Sequence, residues 1–169
     1  MIYRSNECYN LIKVDGTPAR IRAFKDAVSK SDSEFSFCKI LPIPTLLHNI
    51  YQYTNAYHFA GKVTNETHRF VTLNKRGAID SIRNLTPKEM AKLETITPKF
   101  GPDWCVENWG CNAEAIDIDL QDYEHQLAYD FITPHSPPRG IIKALRAKFP
   151  DLHISAFFDN DQDEIAGYY

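Results

Sequence analysis

The chain has 169 residues, of which 43% are hydrophobic, 12% aromatic and 24% charged, with a formal net charge of −3. That length can bury a core for one compact domain carrying an insertion, and the composition excludes disordered, collagen-like and coiled-coil chains. No apolar run approaches the roughly 18 residues a membrane span needs, and no charged segment leads into an apolar one near Met1, so a soluble, cytoplasmic protein is expected. From Cys8 to Val14 polar and apolar sides alternate, with Cys8, Asn10, Ile12 and Val14 on one side and Tyr9, Leu11 and Lys13 on the other, which predicts a half-buried strand ended by Asp15-Gly16. Thr17-Pro18 then opens a helix whose stripe is Ile21, Phe24, Ala27 and Val28, running to about Lys30. Phe35 to Leu41 reads as a second strand, closed by Pro42 and Pro44.

Residues 45–101 are too long for a simple connection and are read as an insertion with structure of its own. Within it Ala56–Val63 and His68–Leu73 predict a hairpin, with a helix through Leu46 to Tyr57 competing for its start. Thr86-Pro87-Lys88-Glu89 is a capping box followed by Met90, Leu93 and Ile96 on one face, so a helix from Pro87 to about Thr95 is expected. Ala113–Leu120 and Gln126–Thr133 both alternate and predict an antiparallel pair. Ser136-Pro137 repeats the cap-and-proline opening, and Ile141, Ile142, Leu145 and Phe149 form the next stripe until Pro150. Leu152–Phe158 is the last full strand, before an acidic turn and a short segment from Ile165 to Tyr169. Two strand–helix–strand halves with both helices on one face of an antiparallel sheet predict an α+β sandwich of the ferredoxin-like kind, a single domain over 1–169.

The segments WCVENWG at Trp104–Gly110, FITPHSPP at Phe131–Pro138, Phe149-Pro150 and Ala166-Gly167 resemble, in order and spacing, the YubB-like ferredoxin-like domain family of phage and plasmid proteins. The opening Asn6–Gly16 is similar to that family's first strand, and the resemblance leaves out the middle insertion. It implies a ferredoxin-like fold, a bacterial host cytoplasm and an accessory role in a mobile element, with no shared reaction. After Trp109-Gly110 the family continues with Thr, Lys, Trp and an acidic residue, where this chain has Cys111, Asn112, Ala113 and Glu114; before Ser-Pro-Pro it has Trp where His135 stands here. If the family builds a shared site on those positions, the resemblance implies that this chain has altered it.

The chemistry-bearing residues point away from catalysis. Cys8, Cys38, Cys105 and Cys111 have neither a secretory context nor paired-ligand spacing, which predicts thiols and no zinc. Asp159, Asp161 and Asp163 mimic a calcium loop, but Glu164 stands where such a loop needs glycine. The six histidines form no His-Glu-x-x-His pattern, and no P-loop, G-x-S-x-G or dinucleotide fingerprint occurs. RNA recognition on the sheet lacks the Arg/Lys-Gly-aromatic strand motif and meets Asp117, Asp119 and Asp130 on the strands. The slightly acidic total also speaks against affinity drawn from many phosphates, and Arg139, Lys143, Arg146 and Lys148 read as the wet face of a helix.

Trp104 and Trp109 are either core plugs or interaction anchors, the plug being favoured, and His135 sits in a capping loop. The expected function is non-enzymatic binding of a macromolecule, first of all a protein, through a surface of Trp104, Asn108, Trp109, His135 and Ser136 together with the insertion, with no cofactor, metal or membrane. The alternatives are nucleic-acid binding through the sheet face or the insertion, and a small-ligand site or enzyme pocket between insertion and sheet.

Overall fold

The computed structural model describes residues 7–48, 50–52, 68–96, 104–161 and 163–169. In chain order the elements are β1 (Glu7–Asp15), α1 (Pro18–Val28), the single helical turns α2 (Phe37–Ile40) and α3 (Thr45–His48), β2 (Ile50–Gln52), β3 (His68–Leu73) and β4 (Ile79–Arg83). They continue with α4 (Pro87–Ile96), α5 (Trp104–Asn108), β5 (Ile116–Tyr123), β6 (Gln126–Pro134), α6 (Arg139–Lys148), β7 (His153–Asn160) and β8 (Ile165–Tyr168). The chain divides into two compact units, Met1–Pro42 with Cys105–Tyr169, and Ile43–Trp104. No helix among the described residues is long and apolar enough to cross a membrane.

The first unit is α+β. Its five-stranded sheet has the order β5-β6-β1-β7-β8, and each neighbouring pair is antiparallel. Register places Ile12 between Tyr129 and Ala156, and Val14 between Leu127 and Ile154, so one face of three central strands is continuously apolar. Onto that face α1 presents Ile21, Phe24 and Val28, and α6 presents Ile141, Ile142 and Leu145. The Phe24 ring meets Tyr129 of β6 at 6.3 Å and Phe149, just past α6, at 4.9 Å, which puts both helices on the same side of the sheet. The alternation in β1, β6 and β7 and the helical stripes are therefore realised as expected.

Two local expectations are overturned. Phe35–Leu41 is not a strand: it contains the turn α2, and the places on either side of β1 are taken by β6 and β7. Glu114 fixes the turn instead, its carboxylate accepting the backbone N–H groups of Phe37 (2.6 Å) and Cys38 (3.0 Å) and the Ser36 hydroxyl (3.1 Å), while Phe35 and Phe37 pack on Phe131. Ser136 is likewise not the cap of α6, which begins at Arg139 after Pro138. Its hydroxyl donates to the Gly110 carbonyl at 2.7 Å.

Among the described residues, one buried polar side-chain atom of the first unit is unsatisfied. The Tyr129 hydroxyl is fully buried and has no hydrogen-bond partner among the described residues, and burial pushes its ionisation well above the ordinary tyrosine range. Tyr129→Phe removes that stranded dipole while keeping the ring contacts to Phe24 and Phe35, so it is expected to stabilise the unit by about 1 kcal/mol. Chemical denaturation checks this, and a loss of more than about 1 kcal/mol would show that the hydroxyl is bonded after all.

The second unit has its own sheet, β2-β3-β4, antiparallel throughout. Leu85 and Leu93 form a small core with Leu46, Leu47, Phe70 and Met90. Of the expected hairpin, His68–Leu73 is β3, and Ala56–Val63 lies outside the described residues. Of the competing helix through Leu46 to Tyr57, the described residues form α3 and then β2, and β4 carries no periodic signal because none of its five residues is buried.

The capping box forms as read. Glu89 N–H donates to the Thr86 hydroxyl (3.3 Å), and the Glu89 carboxylate accepts from Thr86 N–H (2.8 Å). Arg83 adds a two-pronged ion pair at 2.7 and 2.9 Å and lies over the Phe70 ring. The Arg83 guanidinium and then the Thr86 N–H hold the Glu89 carboxyl at about 2, below its ordinary 4.5. The folded state thus favours the ionised form, so the stabilisation from this group is complete above about pH 4.5 and is lost as pH falls towards 2. Glu89→Gln is expected to flatten that acid limb of the unfolding profile, and an unchanged limb would count against the pairing.

Candidate functional site

The Trp104–Gly110 and Phe131–Pro138 segments form a structural seam. Trp109 is 1% exposed, its indole N–H donates to the Leu41 carbonyl at 2.9 Å, and its ring meets Phe37 edge-on at 5.5 Å, so it plugs the core and offers nothing to a surface. Asn108 and Ser136 are half-buried in the same seam: Gly140 N–H donates to the Trp109 carbonyl (2.9 Å), next to the Asn108 backbone, and Ser136 bonds Gly110. Trp104 is half-buried at the start of α5. His135 is exposed, with a left-handed backbone (φ 63), and its carbonyl accepts from the Asn160 side chain at 2.9 Å. The structure thus brings Asn108, Trp109 and Ser136 together, in a joint between two backbone segments.

A second region has the shape of a binding site. The face of the five-stranded sheet opposite α1 and α6 carries Tyr9, Leu11 and Lys13 from β1, flanked by Ile132 and Asp130 of β6 and by Asp159, Phe157 and Ser155 of β7. Tyr9 is 48% exposed, and Tyr168 of β8, at 79%, packs its ring 5.2 Å from Phe157. Two depressions share Leu11 and Phe157: one of about 410 Å³ over Tyr9 with Asp117, Asp130 and Asp159 around it, and one of about 240 Å³ reaching Lys13, Ser155 and Tyr168. Together they make a trough along β1, acidic at one end.

Asp117 reaches this trough by a backbone irregularity. The register of β5 against β6 shifts between Ile116 and Asp119, and Asp117 takes a positive φ of 51°. A bulge of this kind re-aims a side chain and is concentrated next to functional sites. Asp117 and Asp130 read in the sequence as strand aspartates, whereas Asp159, expected in an acidic turn after Phe158, belongs to β7 itself, which runs to Asn160. The signal for Tyr9, Leu11 and Phe157 is a large apolar side chain on the nominally wet side of the β1 and β7 alternation.

Beneath the trough lies a bonded polar cluster. The Asn10 amide donates to Thr133 Oγ1 (3.0 Å) and to the Cys8 carbonyl (2.9 Å), the Thr133 hydroxyl donates to the Ser136 carbonyl (2.8 Å), and the Tyr169 hydroxyl donates to Asn10 Oδ1 (3.3 Å). Burial pushes the Cys8 thiol up to about 11, against a lowering contribution from Thr133, so at neutral pH it is a thiol and not a nucleophilic thiolate. All four cysteines stand as thiols. Among the described residues no group of three or more His, Cys, Asp and Glu is placed to hold a metal ion. Comparison with known families, curated proteins and solved structures finds no match to this chain.

Proposed function

We propose that this chain is a non-enzymatic binding module that takes a protein partner on the open face of its five-stranded sheet. The observation that carries this is the trough: exposed aromatic and aliphatic side chains gathered on the sheet face opposite α1 and α6, beside the carboxylates of Asp117, Asp130 and Asp159. The ferredoxin-like reading of the unit rests on the antiparallel order β5-β6-β1-β7, with α1 leaving β1 and α6 joining β6 to β7; β8 extends the sheet by one strand. An accessory role in a phage or plasmid, in the cytoplasm of a bacterial host, belongs to the same proposal and draws its support from the YubB-like motifs.

A second reading has one observation in its favour. The unit Ile43–Trp104 holds eight Lys and Arg against five Asp and Glu, net +3, whereas the other unit holds eleven against seventeen, net −6. The β3–β4 hairpin of the basic unit ends in the exposed pair Lys75-Arg76, where a nucleic-acid phosphate would find cations.

An array of random twelve-residue peptides, probed with purified protein, tests the first reading. Binding is expected to fall across the retained peptides on Tyr9→Ala with Phe157→Ala, and to survive Arg22→Ala on the exposed side of α1 and His135→Ala in the seam. Loss on His135→Ala alone would move the surface to the Trp104–Ser136 loops. Salt-dependent retention on RNA or DNA that disappears on Lys75→Ala with Arg76→Ala would favour the second reading.

A further inference from the structure

We infer that the trough receives an extended, arginine-bearing segment of a protein partner, with cationic side chains meeting Asp130 and Asp159 across β1; this deepens, and rests on, the protein-binding reading above. Charge and geometry choose the occupant. Asp130 lies beside Leu11 and Asp159 beside Tyr9, on the two strands that flank β1, and neither carboxylate has an ion-pair partner among the described residues. Any partner that covers Tyr9, Leu11 and Phe157 also covers these carboxylates. Burying them without a counter-charge costs more than the apolar contact returns, so the partner must bring cations.

Three other occupants fit worse. Strands either side of β1 are roughly 10 Å apart, too far for Asp130 and Asp159 to share a cation whose ligand distances are about 2.5 Å. A nucleic-acid backbone would place phosphate on three carboxylates, with Lys13 as the cation among the described residues of that face. A neutral apolar segment leaves the carboxylates unpaired. Arginine meets both halves of the lining, because its guanidinium stacks on aromatic faces such as Tyr9 and Phe157 and pairs with carboxylate, while its methylene stem covers Leu11 and Ile132. Alternate residues of an extended segment project to the same side about 6.6 Å apart, so two basic residues on that side can address the two aspartates.

Fluorescence anisotropy with four labelled octapeptides, (Arg-Thr)4, (Lys-Thr)4, (Gln-Thr)4 and (Glu-Thr)4, tests this on the full chain, with circular dichroism reporting the fold of each variant. The arginine peptide is expected to bind most tightly and the glutamate peptide least. Asp130→Asn with Asp159→Asn is expected to weaken the arginine peptide about tenfold, the scale of two modest charge pairs, while Glu124→Gln with Glu107→Gln, exposed acids outside the trough, leaves it unchanged. Equal weakening by both pairs would reduce the effect to net charge and overturn the inference. Equal binding of the arginine and glutamine peptides, both lost on Tyr9→Ala, would overturn the cation requirement while leaving the sheet face as the binding site. Binding that no variant of the face alters would overturn both.

Discussion

Gly140→Ala is expected to cost about 3 kcal/mol or more in chemical denaturation, the upper end of what overpacking does, or to prevent folding of the first unit altogether. A Cβ built on Gly140 would stand 1.8 Å from the Asn108 carbonyl oxygen and 2.7 Å from its carbon. Both are backbone atoms, so no rotamer change relieves the overlap. The two segments cannot part without breaking the Gly140 N–H to Trp109 carbonyl bond at 2.9 Å and disturbing the Ser136–Gly110 bond. Gly110 reinforces the joint, with φ at 97° and a Cβ position 2.7 Å from the Arg139 nitrogen. Gly77→Ala is the control: its φ is 77° but nothing lies within 4 Å, so only left-handed strain of about 1 kcal/mol is expected. Equal small losses for both glycines would mean the seam gives way easily.

Phe24→Ala should destabilise the same unit by about 3–5 kcal/mol, and Leu145→Ala by about 2–5. Phe24 is fully buried, in ring contact with Tyr129 below it and Phe149 beside it, so truncation opens a cavity between α1, the sheet and the end of α6. Neither neighbour can fill it, because each is itself fixed in the packed layer. Arg22→Ala, on the exposed side of the same helix, should stay within about 0.5 kcal/mol. A loss below roughly 1 kcal/mol for Phe24→Ala would mean that α1 is not held by its stripe.

What was legible from the residues alone was whatever depends on short-range period and capping. The Cys8–Val14 alternation, the Ile21–Phe24–Val28 stripe and the Thr86–Glu89 box each carry their signal within about ten residues, and each is present where expected. Phe35–Leu41 reads locally as a strand because Phe, Phe and Ile suit one. Whether it becomes one depended on which strands took the places beside β1, and on Glu114, 76 and 77 residues away from the N–H groups it captures. Ser136 carries a cap signature for the same local reason, and it was diverted by the approach of Gly110.

The candidate site lies wholly on the tertiary side of that line. In the sequence Tyr9 and Leu11 are two outward positions of a strand, Asp130 an isolated carboxylate and Phe157 one aromatic among several. Strand order and register set them side by side, pairing Leu11 with Asp130 on one flank and with Phe157 on the other, across separations of well over one hundred residues. That register is chosen by the opposite face, where Ile12, Tyr129 and Ala156 must coincide beneath α1 and α6 to bury their apolar surface. Local periodicity determined which side of each strand would face the core, since alternation needs no partner. Which outward residues became neighbours was decided only when burial of the inner face locked the strands together.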